Sequence, residues 1–215
     1  MIYSGSLKDL LHLARLANAN LVSVGASLGH AHVPGRAAPE EEVPPDEVEV
    51  GMGIHNEPGS QRVKASLEEL ITLMLRQLLD TSDPDRAFLR WYHGDEFVLM
   101  INNLGSLSVA ELSSITGEVA VQLDKTYKIR PVRAYQGTFL TSLNSPGFSI
   151  SLLRITHTGL KQSFLELLDA PAEAIGWSAP VNTDTWKLQN APHVSHKKTL
   201  KAHEVPSNVT GMLYP

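Results

Sequence analysis

The chain reads as α+β, with strands and helices mixed around one core from about Val43 to Leu168. Three observations carry this. Leu67–Leu79 holds an apolar stripe at helical spacing behind a capping signal. Phe97–Ile101 is an unbroken apolar run of strand length, and Phe148–Ile155 alternates apolar and polar residues in its first half. The 215 residues are 42% hydrophobic and 19% charged, ordinary for a globular protein and enough for one sizeable core.

In chain order, Ser6 caps a first helix whose Leu7, Leu10, Leu11, Ala14, Ala17 and Leu21 recur at helical spacing. A helix that starts this close to the first residue, with no strand before it, raises the expectation that the chain is part of something longer. From Leu28 to Val48 the residues Pro34, Gly35, Pro39, Pro44 and Pro45 prevent regular structure, and Glu40, Glu41 and Glu42 make this a solvated acidic loop or a contact surface for a basic partner. Val48–Ile54 reads as a short strand that turns glycine-rich and delivers His55, and Asn56–Ser60 is a turn.

Ser66 and Glu69 form a capping box before the second helix, which Asp80–Asp85 stops. After the Phe97–Ile101 strand, Asn102–Gly105 reads as a turn. Ser108 and Glu111 are a second capping box, opening a helix to about Leu123. Ile129–Ala134 reads as a strand that Pro131 demotes toward an edge or bulge. Leu160–Leu168 is a short last helix. Beyond Trp177 no apolar periodicity remains, and residues 179–215 read as a linker-like tail with a basic patch at His196–Lys198.

Charge and composition exclude several classes. A net charge of −5 argues against a nucleic-acid footprint of clustered Lys and Arg. With no cysteine, disulfides, thiolate nucleophiles and Cys-ligated zinc are ruled out. No apolar run approaches the about 18 residues of a membrane span, and Met1–Asp9 lacks a signal-peptide pattern. The expectation is a cytoplasmic protein with neither nucleic acid nor membrane as partner.

His55 stands out chemically. Two glycines precede it and a rigid turn follows, so the backbone can approach a ligand closely while the ring projects into a cleft, or the ring packs or lies on the surface. His30 and His32, spaced i, i+2, would share one face of a strand and could share a metal if a third ligand such as Glu40 or Glu49 joined them. Gly51-Met52-Gly53 resembles a fragment of a phosphate loop without its downstream glycine and lysine. Ser27, Ser142 and Ser145 are nucleophile candidates by residue type alone, with no Gly-x-Ser-x-Gly elbow. Asn102 and Asn103 read as capping and turn residues.

Four ordered blocks together resemble one family. They are Val24–Ser27 leading to Val33–Gly35; Glu47–Gly59 with its Gly51-Met52-Gly53-Ile54-His55-Asn56-Glu57-Pro58-Gly59 run; Asn102–Gly105 with Glu111-Leu112; and Gly137–Leu143 with Pro146–Ser149. Their order and spacing are similar to the C-terminal half of the K domain of dihydroxyacetone (glycerone) kinases, over residues 1–178.

The resemblance implies a two-layer mixed β-sheet covered by helices. It implies that His55, with Gly53 beside it in the substrate site, adds through a ring nitrogen to the ketone carbon of dihydroxyacetone or to glyceraldehyde, giving a hemiaminal. A neutral imidazole is a fair nucleophile near neutral pH. Glycerol, lacking a carbonyl, cannot form this adduct. The preceding half of the K domain, with a general-base histidine and an aspartate, would be a partner supplied from elsewhere. ATP and Mg²⁺ would be bound outside this chain on a helical L domain, so no cofactor or metal is expected on it. The tail from about Val181 resembles the start of the linker to that domain, which favours the ATP-dependent branch over the phosphotransferase-system branch. Members of the family form homodimers through their K domains. The expected function is therefore the substrate-binding part of a glycerone kinase, with this chain alone inactive. Alternatives are a truncated, non-catalytic binding module and a metal-dependent hydrolase built on His30 and His32.

Overall fold

The computed structural model describes residues 5–36, 42–53, 57–83, 85–172, 174 and 176–177. All of these lie within the first of the two compact units of the chain, Met1–Asn182. The tail expected from residue 179 onward is outside the described residues.

Six strands form one mixed sheet in the order β3-β2-β1-β6-β4-β5. They are β1 (Leu21–Ser27), β2 (Val48–Val50), β3 (Gln61–Val63), β4 (Phe97–Asn103), β5 (Arg133–Gly137) and β6 (Gly147–Arg154). All neighbours are antiparallel except β4 and β5, whose parallel pairing requires the crossover that α3 (Val109–Gln122) supplies. The other helices are α1 (Leu7–Asn20), α2 (Leu67–Leu79) and α4 (Phe164–Leu168). Each of these four α-helices opens on a serine whose hydroxyl accepts the N3 amide while an acidic N3 side chain reaches back, at Ser6/Asp9, Ser66/Glu69, Ser108/Glu111 and Ser163/Glu166.

Register puts Val22, Leu152 and Leu99 in one row and Val24, Ile150 and Ile101 in the next. With period-2 alternation these rows face one side, where Leu70, Ile71, Met74 and Leu75 of α2 and Leu112, Ile115 and Val119 of α3 complete a single core. Ile150, Leu152, Ile101 and Phe97 are wholly buried, and each such side chain contributes about 1.5–3 kcal/mol through its removal from water. The opposite rows, Ser23–Ser151–Met100–Tyr135 and Gly25–Ser149–Asn102–Gly137, form a more polar and more open face. The expected two-layer α+β architecture is the observed one.

Several elements differ from expectation. The first helix does not run to Leu21: it ends at Asn20 and passes without a loop into β1, a strand the periodicity of the helix conceals. The join is held by Asn20, whose amide nitrogen donates to Leu16 O at 2.9 Å and whose Oδ1 accepts from both Arg154 nitrogens Nε (3.0 Å) and Nη2 (2.7 Å). The leucine stripe of α1 is not a core face, since Leu7, Leu10 and Leu11 are exposed. The strand after the acidic loop stops at Val50, because Gly51 takes φ +82°. β3 was not expected from its polar sequence. Asn102 and Asn103 belong to β4 rather than to a turn. The Ile129–Ala134 strand lies later, at Arg133–Gly137, past Pro131, which cannot donate to the ladder. The last helix is shorter, starting at Phe164 behind its Ser163 cap.

Candidate functional site

Residues 51–53 and 57–60 are bonded back onto the strands they leave or join. At the base Gly51 N–H donates to Gly25 O at 2.7 Å, and Ser60 N–H and Oγ both donate to Val50 O, at 2.8 and 3.1 Å. The Met52 carbonyl lies 3.7 Å from where a Gly25 Cβ would stand, so the loop sets out over the open face of the sheet. Further out, Gly53 N–H donates to Glu57 O at 3.1 Å. Glycine is required for room at Gly59, where a Cβ would stand 2.6 Å from Val50 O; a Cβ on Gly53 would meet the Glu57 carboxylate, the movable end of a side chain. His55, with Ile54 and Asn56, lies outside the described residues. What is described is the frame on either side of it, Gly53 included.

Glu49 is the charged residue of this frame, and it is 3% exposed. Its Oε1 accepts the Gly59 N–H at 2.6 Å, its Oε2 accepts Arg62 Nε at 3.1 Å, and His30 Nε2 stands 3.7 Å from Oε2. Burial pushes this carboxyl up, but the Gly59 amide, the Arg62 guanidinium and the His30 ring together outweigh it and hold it below the ordinary carboxylate range. A glutamate in an unfolded chain titrates near about 4.3. The stability this pairing contributes is thus complete above that pH and is lost as pH falls through the lower folded value. The expected result is that the melting-temperature gap between wild type and Glu49→Gln is widest near neutrality and closes on acidification. A gap independent of pH would mean that the carboxylate gains nothing from its charge.

The remaining candidates resolve into structural roles. His30 and His32 lie on a stretch without strand structure, so the shared-face argument does not apply; His30 faces Glu49, and His32 N–H donates to Asn144 Oδ1 at 2.8 Å. Glu40 is outside the described residues. Among the described residues, no group of three or more His, Asp or Glu side chains converges to hold a metal ion. The Gly51 and Gly53 amides already have carbonyl acceptors, so this pair does not form a phosphate cradle. Ser27 Oγ donates to Gly29 O at 2.6 Å and meets Ser145 Oγ at 3.1 Å, a buried pair that ties two loops together. Asn102 Oδ1 accepts from Phe139 N (2.8 Å) and Leu140 N (3.0 Å), and Asn103 Oδ1 accepts from Gly105 N (2.9 Å) and Leu107 N (3.1 Å). Asn102 thus braces the Gly137–Leu143 block against β4, and Asn103 holds the turn that leaves β4.

Sequence reasoning named Glu49 only as a possible metal ligand. The signal that would have found its role is a charged residue between two valines directly before a glycine-rich turn. Beside the loop, the open face presents the hydroxyls of Ser23 and Ser151, in mutual contact, and that of Ser149. No helix among the described residues is long and apolar enough to cross a membrane.

Comparison with known proteins gives a consistent picture. The Dak1 domain matches residues 3–176. The dihydroxyacetone kinase of Pichia angusta is 42% identical over 201 residues, which is 88% of this chain and 33% of that protein. The triokinase/FMN cyclase of Mus musculus is 37% identical over 156 residues, covering 72% of this chain and 25% of that one. The crystal structure of the dihydroxyacetone kinase from C. freundii in complex with AMP-PNP and Mg²⁺ superposes with a TM-score of 0.65 at 28% identity, over 82% of this chain and 30% of that chain. The chain spans about a third of the length of the first two kinases it matches, 33% in each case.

Proposed function

The chain belongs to the Dak1 domain family, the K domain of dihydroxyacetone kinases, and from that premise we propose that it is the substrate-capturing part of a dihydroxyacetone kinase or triokinase, equivalent to the C-terminal half of the K domain. Capture runs through His55. A ring nitrogen of the neutral imidazole donates its lone pair to the carbonyl carbon; the C–N bond forms as the C=O π bond breaks. The carbonyl oxygen takes up a proton and the other ring nitrogen releases one, so the hemiaminal is neutral. The tether fixes the substrate so that a terminal hydroxyl is presented for phosphorylation.

The observation that supports this reading best is the frame around His55. Gly53, Gly59 and Ser60, which flank His55 in the sequence, are pinned by bonds to Glu57, Glu49 and Val50. Holding a nucleophile in a prepaid geometry is what makes addition to a dilute carbonyl favourable. The hydroxyl-bearing face beside the loop suits a small polyhydroxylated carbonyl compound. This reading assigns ATP and magnesium, which the phosphorylation step uses, to segments outside this chain.

The test is direct. The chain is mixed with dihydroxyacetone labelled with ¹³C at the ketone carbon and followed by NMR, with labelled glycerol as the control. The expected result is a protein-bound signal in the hemiaminal region for the ketone and none for glycerol. Absence of a bound signal at saturating ketone would overturn the proposal.

A further inference from the structure

Glu49 performs no chemistry in the proposed reaction, yet its carboxylate reaches from β2, before the loop, to Gly59, after His55 in the sequence. One oxygen, Oε1, accepts the Gly59 N–H at 2.6 Å. The other, Oε2, is held by Arg62 Nε at 3.1 Å on the adjoining strand, with His30 Nε2 at 3.7 Å. The side chain is 4% exposed, whereas that of Arg62 is 35% exposed, so the carboxylate is the buried member of the pair. Contact is close on the side where Gly59 would carry a Cβ: that atom would stand 2.7 Å from Glu49 Cγ and 2.6 Å from Val50 O. Nothing else described holds the Gly59 amide. The buried acceptor therefore fixes where the loop returns, and the single Gly53–Glu57 backbone bond fixes where it departs.

We propose that Glu49 is a positioning residue for substrate capture: through the Gly59 amide it sets the return path of the loop that carries His55, and thereby the placement of the histidine against the carbonyl carbon. The inference rests on the capture reading above. It divides the two carboxylate oxygens by role. Oε1 serves capture, by way of Gly59. Oε2 serves the stability of the β2–β3 edge, by way of Arg62.

That division is what an experiment can read. Three variants of the chain separate the oxygens. Glu49→Gln and Arg62→Ala each break the ion pair while keeping an acceptor for Gly59. Glu49→Met keeps the volume of the buried side chain and removes the acceptor. The readouts are the dissociation constant of the ¹³C-ketone adduct, measured well below the melting temperature, and the melting temperature itself. All three variants are expected to melt lower than wild type. Capture is expected to stay within about 3-fold in Glu49→Gln and Arg62→Ala, and to weaken about 10- to 100-fold in Glu49→Met, the size of effect that a misplacement of about 1 Å produces. Should Glu49→Met fail to fold, Glu49→Leu, another apolar side chain that removes the acceptor, replaces it. Capture as strong in the acceptor-less variant as in wild type overturns the positioning role and leaves the capture reading standing. Capture that falls in step with melting temperature across all three variants also overturns it, since a merely structural role predicts that pattern. If wild type itself forms no adduct, the capture reading fails and this inference falls with it.

Discussion

His55→Ala is expected to reduce the protein-bound hemiaminal signal to background while leaving the melting temperature within about 1–2 °C of wild type. Chemistry drives the first half: alanine has no lone pair to donate, and no neighbouring group can replace the lost C–N bond unless it is itself a nucleophile at the same place. The second half follows from the frame. The bonds that shape the loop are Gly51–Gly25, Gly53–Glu57, Gly59–Glu49 and Ser60–Val50, and none of them uses the imidazole. A substitution that leaves these bonds in place is expected to change stability by no more than about 0.5 kcal/mol, which for a domain of this size is about 1–2 °C. The pair of measurements separates three cases. An adduct that persists in His55→Ala identifies a different nucleophile. A protein that unfolds identifies His55 as a packed core residue. Loss of adduct with stability retained is the outcome the proposal requires.

How far these features were legible in the sequence depended on whether local pattern and tertiary context agreed. They agreed at α2 and α3, where a capping box precedes an apolar stripe that becomes the core face. They agreed at β4 and β6, the two central strands, whose apolar content reflects burial. They parted at β1: Leu21 continues the spacing of α1, Asn20 is no strong breaker, and the period-2 series Val22, Val24, Ala26 starts without a turn to announce it. β3 has no apolar pattern of its own; Gln61, Arg62 and Val63 are extended because they pair with β2. β5 is a parallel edge strand, and its start is set by Pro131 and by the register with Val98 rather than by composition. At the loop, the need for glycine was legible from the motif: Gly51 takes φ +82° and Gly59 leaves no room for a Cβ, both local demands, while His55 lies outside the described residues. Glu49 was not legible. Alternation in Val48-Glu49-Val50 points its side chain away from the valines, which reads as solvent, but the loop returns over that side and buries it.

The other large effect concerns turnover. Supplied with dihydroxyacetone, ATP and magnesium, this chain by itself is expected to form glycerone phosphate at least about 10²–10⁴-fold more slowly than a complete kinase, because positioned acid–base help alone contributes that much and phosphoryl transfer depends further on a clamped metal and nucleotide. Under the proposed reading the described residues frame the capture loop, and the general base, ATP and magnesium belong to other segments. The Gly51 and Gly53 amides, the local candidates for cradling a phosphate, already donate to Gly25 and Glu57. Capture and transfer are thus expected to separate: the labelled ketone gives the bound signal, while ³¹P NMR of the same sample shows ATP unconsumed. Adding the portion of the Pichia angusta kinase that this chain does not match, roughly the other two thirds of a protein of which it covers 33%, is expected to raise the rate if the two parts associate. Turnover by the chain alone at about 1–10³ s⁻¹, the range of ordinary enzymes, would place the nucleotide site and the proton-transfer groups on residues assigned here to the frame of the loop, and would require the division between capture and transfer to be redrawn.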